Sequence, residues 1–283
     1  MAATAPTIAT AHYTLSELMV CAAAREIRDG EVVFVGMRLP LIAFVVAKKT
    51  HAPRAIGLFE NGVVRATPAA ELIYTMADPP NILGATQCLD MLSVMALLQS
   101  GRVDLGFLGA AEVDRFGNLN STQVRVGNVS GHGFSRAESS GPKSGASAPE
   151  EKTVRLPGSG GACDIASLAK RFVVLLEHDK RRLPERASYV TSPGYGDGKG
   201  WRERVGLPRG GPSAVITTKA VLRFGEDREA YLASVHPGVR ADDVVANTGW
   251  RLRVAERVEV TPEPAAAELA AIREYDKKGF WTK

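Results

Sequence analysis

The sequence predicts an α/β fold in which helices cover an open, mostly parallel sheet. Four short runs are predominantly apolar and show no regular polar alternation, which is typical of strands buried on both faces. They are residues 32–35, 55–59, 103–108 and 172–176. Segments with the apolar spacing of helices lie between the first runs, and such short alternation of helix and strand makes neighbouring strands parallel.

The first helix is predicted from its start signal. Thr14 and Glu17 have the three-residue spacing of a capping box, in which two side chains satisfy the free N–H groups of a helix start. Apolar positions continue from Leu18 to Ile27 and Gly30 follows them. We therefore expect a helix of about four turns.

Further helices are expected along the chain. Pro40 fits the first turn of a helix that runs through Lys49, because proline lacks the N–H that a helix start leaves unpaired. Helical spacing of apolar residues also occurs at 89–100, 164–170 and 265–275. The last of these is expected to close the fold.

We expect residues 1–283 to form a single domain that carries one insertion. Between about 127 and 151 the chain is rich in Gly, Ser and Ala and has few large apolar residues, a composition typical of a flexible loop. This loop separates 109–122 from 158–167, so we expect the fold to bring those two flanks together.

Composition excludes several function classes. The formal net charge is +4 and no Lys/Arg tract occurs, so the sequence does not predict nucleic-acid binding. The three cysteines, Cys21, Cys88 and Cys163, lie far apart without histidines at ligand spacing, so neither a disulfide framework nor a metal site is expected.

No membrane association is expected either. The first twelve residues lack the basic start and apolar core of a secretory signal. The longest apolar window, 32–47, is interrupted by Gly36, Arg38 and Pro40 and is too short to span a bilayer. A soluble, cytoplasmic protein is the expectation.

The tripeptide Glu60-Asn61-Gly62 is the first candidate site. It follows a buried strand, so Glu60 can be held by packing beneath it while its carboxylate faces a cleft, as a nucleophile requires. The alternative is a hairpin turn that uses Asn-Gly for conformational reasons alone.

A glycine cluster is the second candidate site. Residues 156–162, which include Gly160, Gly161 and Ala162, lead into the helical pattern that starts at 164. Converging N–H groups at such a position can bind an anion or an oxyanion. A plain tight turn is the alternative, because the cluster matches neither a Walker loop nor a dinucleotide fingerprint.

Two weaker candidates remain. His178 stands between Glu177 and Asp179 and is expected to be a structural histidine, with general-base catalysis as the alternative. The segment 170–209 has ten Lys/Arg against five Asp/Glu, which would suit either phosphate binding or a solvated rim.

Eight motifs together carry a family resemblance. They are GMRLPLI (36–42), ENG (60–62), GAAEVDRFGNLNST (109–122), GSGGACDIAS (158–167), HDKRR (178–182), VTSPG (190–194), WRERVGLP (201–208) and NTGW (247–250). In this order and spacing the chain resembles the beta subunit of glutaconate-type CoA-transferases, within the family of two-subunit 3-oxoacid CoA-transferases.

The resemblance implies a fold, a reaction and a partner. The fold would be the CoA-transferase fold, which is similar to that of sugar-phosphate isomerases. Glu60 would attack an acyl-CoA and become a glutamyl-CoA thioester, giving ping-pong kinetics. Coenzyme A would be a substrate, with no cofactor bound permanently. A separate alpha subunit would complete the enzyme, in an α2β2 assembly that acts on acyl-CoA and small carboxylic acids.

The resemblance also implies roles for the residues around Glu60. Backbone donors of Gly160, Gly161 and Ala162 would stabilise the oxyanion, and Asn61 beside Gly62 would orient the acyl group. Asn61 itself is similar to the 3-oxoacid branch, whereas the rest of the chain is more similar to proteins with Ser there. The insertion at 127–151 is foreign to the compact family pattern.

Other functions are compatible with this fold. An acyl-CoA hydrolase or a ring-opening enzyme of the steroid-degradation type would consume acyl-CoA without an acceptor acid. A sugar-phosphate isomerase would act alone, and a non-catalytic binding subunit would tolerate Glu60→Ala.

Overall fold

One ten-stranded sheet organises the protein, whose computed structural model describes residues 12–126, 152–207 and 209–283. The strands are β1 (Val32–Phe34), β2 (Ile56–Leu58), β3 (Val63–Arg65), β4 (Gln87–Cys88), β5 (Leu105–Leu108), β6 (Glu112–Val113), β7 (Leu119–Asn120), β8 (Gln123–Val126), β9 (Lys152–Arg155), β10 (Arg171–Leu176), β11 (Pro212–Thr217), β12 (Ala220–Phe224), β13 (Ala230–Val235) and β14 (Arg253–Val260). The helices are α1 (Leu15–Ala24), α2 (Leu39–Lys49), α3 (Pro79–Ile82), α4 (Met91–Gln99), α5 (Ala162–Leu168), α6 (Trp201–Arg204), α7 (Ala241–Ala246) and α8 (Ala266–Tyr275).

The large sheet has a parallel centre and antiparallel flanks. Its order is β14-β13-β12-β11-β10-β5-β1-β2-β3-β4. The five strands from β11 to β2 are parallel to one another. At one side β3 pairs antiparallel with both β2 and β4, and at the other β12 pairs antiparallel with both β11 and β13, while the edge strand β14 is parallel to β13. The α/β fold with a mostly parallel sheet is thereby confirmed.

Helices bury both faces of this sheet. Phe44 of α2 packs in one core with residues of α1 and α8, and Ile165 of α5 packs in the other with residues of α4 and α7. Within β1, Val33 contributes to the first core and Phe34 to the second. The central strands are therefore apolar without interruption because both of their faces are buried, as predicted.

Most of the expected elements form, and the first helix is shorter than expected. Thr14 makes both hydrogen bonds of the capping box with Glu17. Helix α1 nevertheless ends at Ala24, because the chain tightens there and Ile27 N–H donates to the Ala24 carbonyl. Ile27, which was expected within the helix, lies beyond it and is buried.

The flanks of the insertion are joined. Strands β8 and β9 form an antiparallel ribbon, and hydrogen bonds from Leu156 N–H to Thr122 O and from Gly158 N–H to Ser121 O continue the pairing. The expected flexible loop at 127–151 lies outside the described residues. Within the described parts of the chain, no helix is both long and apolar enough to cross a membrane.

Candidate active site at the carboxyl edge of the sheet

The carboxyl ends of three central strands lie at one edge of the sheet, where open α/β sheets carry their ligand crevice. Strands β1, β2 and β5 are parallel neighbours, and Val35 N–H donates to Leu58 O at 2.9 Å, so the ends of β1 and β2 are level. Helix α2, which follows β1, covers one face of the sheet. Helix α5, which comes after β5 in the chain, covers the other face. Ligands of open α/β sheets bind at such a change of side.

Glu60 lies in the turn between β2 and β3. Phe59 N–H donates to Val63 O at 2.9 Å and Gly62 N–H donates to Phe59 O at 3.0 Å, which closes the hairpin tightly. Gly62 has φ +103°, and a Cβ there would stand 1.9 Å from Leu89 O. The tripeptide is therefore a hairpin turn that requires glycine, and it also presents a half-buried carboxylate at the crevice.

The Glu60 carboxylate meets the glycine cluster. Gly161 N–H donates to Glu60 Oε1 at 3.1 Å. A Cβ on the buried Gly161 would come within 3.0 Å of the same oxygen and 3.3 Å of Met95 Cε, and one on Gly160 would stand 3.9 Å from Oε1. Glycine at 161 thus allows the backbone to approach the carboxylate closely.

The other residues of the glycine cluster form a tight turn. Ala162 N–H donates to Ser159 O at 2.9 Å and is therefore not directed at Glu60. Gly158 has φ +96° and Gly160 has φ +48°, so the loop turns sharply before α5. The cluster is both a tight turn and a backbone donor, and Gly161 is the residue that reaches the carboxylate.

Asn61 fastens the turn to the neighbouring segment. Its Nδ2 donates to Met76 O at 2.8 Å, and its Oδ1 accepts from Val63 N–H at 3.4 Å. The same Met76 carbonyl accepts from Asn81 Nδ2 at 2.8 Å. In this arrangement the Asn61 side chain holds protein backbone, whereas the resemblance implied contact with the acyl group.

A buried arginine organises that segment and was missed from the sequence. Arg65 of β3 is only 3% exposed, and within the described ranges its guanidinium donates to main-chain carbonyls and to no carboxylate. The acceptors are Thr67, Pro68, Pro80, Asn81 and Leu83. Because these residues flank Met76, Arg65 fixes the position of the carbonyl that holds Asn61. A lone arginine in a strand gives no sequence signal for this role.

The polar motif at 109–122 is a structural support. The buried Asp114 carboxylate accepts from Phe116 N–H at 2.9 Å and from Asn118 N–H at 3.0 Å, and burial raises its pKa. Asn118 Oδ1 in turn accepts from the N–H groups of Gly194 and Gly196 at 2.9 and 3.0 Å. These bonds order the loops.

His178 is held in the core. Its Nδ1 lies 2.9 Å from Thr217 Oγ1, and its Nε2 lies 3.2 Å from both Val244 O and Thr248 Oγ1. Burial lowers the pKa of His178 to about 4. The ring is therefore neutral and fully bonded, which fits the structural histidine that was expected.

The basic segment 170–209 is partly structural. Arg202 is 5% exposed and donates to the carbonyls of Gly194, Ser167 and Ala166 at 2.9 to 3.2 Å. Lys170 pairs with Asp104 at 2.6 Å. These two cations are therefore occupied by protein groups.

Several exposed apolar side chains lie in the segments that flank β4, the strand paired with β3. Leu92 at the start of α4 is 79% exposed, Leu83 is 72% exposed and Met91 is 58% exposed. With Ile82 and Leu89 they form what we call the turn-flanking surface. Leu89 joins it to the turn, since Leu89 N–H donates to Gly62 O at 2.8 Å.

The chain is similar to known proteins in both sequence and fold. A family model described as Coenzyme A transferase matches residues 17–247. One subunit of the 3-oxoadipate CoA-transferase of Pseudomonas knackmussii is 36% identical over 92% of each chain. One subunit of the glutaconate CoA-transferase of Acidaminococcus fermentans is 34% identical over 91% of each chain, and the crystal structure of that organism's glutaconate coenzyme A-transferase superposes with a TM-score of 0.81 over 96% of this chain and 98% of its own.

A further solved relative has a different named chemistry. The decarboxylase AibA/AibB superposes with a TM-score of 0.74 at 27% identity, over 95% of this chain and 98% of its own. The fold is thus shared by proteins named for two reactions, and the residues of the site must decide between them.

Proposed function

We propose a function from one premise, that this chain belongs to the coenzyme A transferase family. The family and the relatives named as subunits of such enzymes make it a CoA-transferase subunit. We propose that the chain moves CoA from an acyl-CoA to a carboxylic acid in the cytoplasm, through a covalent glutamyl-CoA thioester on Glu60. Coenzyme A is then a substrate, and no cofactor stays bound.

The observation that carries this proposal is the half-buried carboxylate of Glu60, presented at the crevice and held on one oxygen by Gly161 N–H at 3.1 Å. A carboxylate is already ionised at neutral pH and needs no base to act as a nucleophile. The hydrogen bond engages Oε1 and leaves Oε2 to attack.

The reaction then runs in balanced steps. Oε2 of Glu60 attacks the thioester carbonyl carbon, the carbon–sulfur bond breaks, and a mixed anhydride and CoA thiolate form. The thiolate attacks the glutamyl carbonyl, which releases the first acid as its carboxylate and leaves CoA on Glu60. A second carboxylate repeats both steps in reverse and restores the Glu60 carboxylate.

In this scheme the Gly161 N–H stabilises the oxyanion that forms on the side-chain carbonyl of Glu60. When thiolate or acceptor carboxylate attacks the glutamyl carbon, negative charge develops on Oε1, the oxygen that already lies 3.1 Å from Gly161 N–H. A preorganised donor at a developing oxyanion typically contributes about 10²- to 10³-fold in rate. We assign the oxyanion role to Gly161, with Gly160 as the adjoining wall.

A partner subunit completes the site in this proposal. The glutamyl thioester must be kept from water, but Glu60 is only half-buried and the turn-flanking surface exposes Leu83, Met91 and Leu92. Exposed apolar patches of this kind mark protein–protein contact. Because the relatives are named as single subunits of their enzymes, we propose that a separate alpha subunit covers this surface, in an α2β2 assembly.

The alternative is an acyl-CoA hydrolase or ring-opening enzyme on the same fold. Water attacking the glutamyl carbonyl would regenerate Glu60 without an acceptor acid. The closely held Oε1 serves transfer and hydrolysis equally, so access of water decides between the two.

The test is to trap the covalent intermediate. The chain, co-expressed with its partner subunit, is incubated with a panel of acyl-CoAs and then with borohydride, which reduces a glutamyl thioester to an alcohol. Mass spectrometry is expected to find the Glu60 peptide with one oxygen lost and two hydrogens gained. Acyl-CoA consumed without any acceptor acid would instead indicate the hydrolase, and an unmodified peptide under those conditions would mean that Glu60 does not carry the intermediate.

A further inference from the structure

Three segments of the chain meet at the Glu60 carboxylate, and one of them contributes an apolar side chain. The position that a Cβ on Gly161 would occupy lies 3.0 Å from Glu60 Oε1, 3.2 Å from the carboxyl carbon Cδ and 3.3 Å from Met95 Cε. The hairpin after β2, the start of α5 and helix α4 therefore border one small space. Met95 supplies an apolar wall of that space.

Helix α4, which carries Met95, is attached to the rest of the protein near both of its ends. Leu89, two residues before the helix, donates its N–H to Gly62 O at 2.8 Å in the Glu60 turn. At the other end of the helix, the Gln99 carbonyl accepts from Arg209 Nη2 at 2.8 Å. These contacts fix the position of Met95 relative to the turn.

Met95 lies at the border between the buried and the exposed side of α4. Val94 and Leu98 are fully buried in the second core, and the half-buried Met95 packs against that core. Leu92 precedes Met95 by three positions, which makes the two side chains neighbours on the helix surface, and it is 79% exposed. Packing therefore supports Met95 on one side, while its other side faces the exposed surface of the helix.

The carbon beside Met95 is the one that reacts in the proposed mechanism. Once Cδ of Glu60 carries the thioester, either an acceptor carboxylate or water can attack it. Attack by water breaks the carbon–sulfur bond and restores the Glu60 carboxylate, while one proton of the water goes to the CoA thiolate and the other to solvent. A nucleophile must come within about 3–3.5 Å of the carbon to react. The point bordered by Met95 Cε is 3.2 Å from Cδ, which is within this range.

A methyl group at this place disfavours water. An ordered water needs two or more polar partners, and the Met95 methyl group offers it none. Exclusion of water is a known way for an active site to protect a reactive intermediate from hydrolysis. An acceptor acid is brought in by its own binding contacts, whereas water enters wherever it can be hydrogen-bonded. Methionine is also unbranched and flexible, so it can fill a gap whose shape changes as acyl groups bind and leave.

We propose that Met95 excludes water from the glutamyl-CoA thioester on Glu60 and thereby favours the acceptor acid over water. The inference rests on the proposed transferase function and names the residue that sets the ratio of hydrolysis to transfer. In the assembled enzyme, a subunit that covers the exposed Leu92 would also close the outer side of Met95, its neighbour on α4. Met95 and the partner subunit then exclude water together.

The test measures hydrolysis and CoA transfer side by side in the enzyme assembled with its partner subunit. Chromatography quantifies the new acyl-CoA formed with an acceptor acid and the free CoA released without one. Met95→Gln keeps the length of the side chain but offers water a hydrogen bond, so we expect the hydrolysis-to-transfer ratio to rise by about tenfold to hundredfold. Met95→Leu stays apolar with a similar volume and should leave the ratio close to that of the natural chain. An equal rise in both variants would overturn the proposal.

Leu97→Gln is the matched control for a general loosening of α4. Leu97 is also half-buried and packs against the same core. Residues two positions apart point to different sides of a helix, so Leu97 flanks the buried Val94 and Leu98 on the side away from Met95. Its substitution should leave the hydrolysis-to-transfer ratio unchanged even where it lowers the melting temperature. A rise equal to that of Met95→Gln would overturn the proposal, because a loosened helix would then be the cause.

Borohydride labelling separates this inference from the proposed reaction. If Met95→Gln and the natural chain both take the label on Glu60 and show the same hydrolysis-to-transfer ratio, the transferase function stands and the role of Met95 fails. A natural chain that takes no label on Glu60 would remove the proposed reaction, and the role of Met95 with it. An altered preference for the length of the acyl chain at an unchanged ratio would also overturn the proposal, and would assign Met95 to contact with the acyl chain.

Discussion

The backbone N–H of Gly161 donates to the carboxylate oxygen Oε1 of Glu60, which lies 101 positions earlier in the chain. The contact joins the hairpin after β2 to the start of α5. It fixes one carboxylate oxygen before any substrate arrives, and it explains why the residue facing Glu60 is glycine, since a Cβ there would stand 3.0 Å from the same oxygen.

Glu60→Gln tests the nucleophile with little change of shape. The amide oxygen can still accept from Gly161 N–H, but the amide cannot form the anhydride. We expect CoA transfer in the assembled enzyme to fall by about a thousandfold or more, as when other covalent nucleophiles are removed. Steady-state assays measure the loss, and a melting temperature close to that of the natural chain shows that the fold is intact. Retained ping-pong transfer would contradict the role of Glu60.

Gly161→Ala tests the close approach of the backbone. Its φ of −74° suits alanine, so the backbone should not change. The new Cβ would crowd Glu60 Oε1 at 3.0 Å and Met95 Cε at 3.3 Å, which displaces the carboxylate by a few tenths of an ångström. We expect kcat to fall by about tenfold to hundredfold with little loss of stability, because reaction rates depend steeply on placement. Unchanged kcat would show that Oε1 needs no fixed donor.

Gly62→Ala tests the conformational demand of the turn. Alanine is strained at φ +103°, and its Cβ would clash with Leu89 O at 1.9 Å. We therefore expect the substitution to lower the free energy of unfolding by about 3 kcal/mol or more. Gly30→Ala is the matched control, because Gly30 has φ +82° with no atom within 4 Å of the new Cβ. It should cost only about 1–2 kcal/mol. Equal losses in urea denaturation would mean that Leu89 moves away easily.

Local patterns predicted much of the scaffold. The continuous apolar run at 172–176 became β10 because it lies inside the sheet and both of its faces are buried. The capping box of Thr14 and Glu17 predicted where α1 begins, but nothing in its pattern showed that the chain tightens at Ala24. Helix ends of this kind depend on tertiary contacts.

The site was predicted in part. The spacing around Glu60 and Gly62 indicated the turn, since a strand followed by Asn-Gly has few conformations. The contact of Glu60 with Gly161 was not predictable from spacing, because it depends on how α5 lies against the sheet. The buried role of Arg65 also left no local signal, because its sequence context is that of any exposed arginine.

Leu92→Glu tests the turn-flanking surface as the site of the partner subunit. Leu92 is 79% exposed, so a glutamate there should leave the stability of the isolated chain within about 0.5 kcal/mol. A charge buried in an apolar contact should weaken assembly with the partner by about tenfold or more. Analytical ultracentrifugation of the mixed subunits measures this. Val205→Glu, at a 50% exposed position outside this surface, is the control, and equal effects of both changes would move the interface elsewhere.

His178 makes the free energy of unfolding depend on pH in the acidic range. Burial lowers its pKa from 6.5 to about 4, so the folded protein disfavours the charged ring and the unfolded chain binds the proton more readily. The stability from this histidine is therefore complete above about pH 6.5 and is lost as the pH falls from there toward about 4. Linkage gives a loss of about 2 kcal/mol between about pH 7 and about pH 5.

Urea denaturation across this range checks the sign and the source of that loss. His178→Gln should flatten the dependence by about 2 kcal/mol whatever its own cost at neutral pH, because glutamine does not titrate. Part of the dependence should remain, since His236 is also buried with a lowered pKa and its Nε2 lies 2.7 Å from the carbonyl of Thr217, the residue whose hydroxyl contacts His178. An undiminished acid slope in His178→Gln would mean that the ring is not held neutral, and the core position would then leave room for the general base that the sequence also allowed.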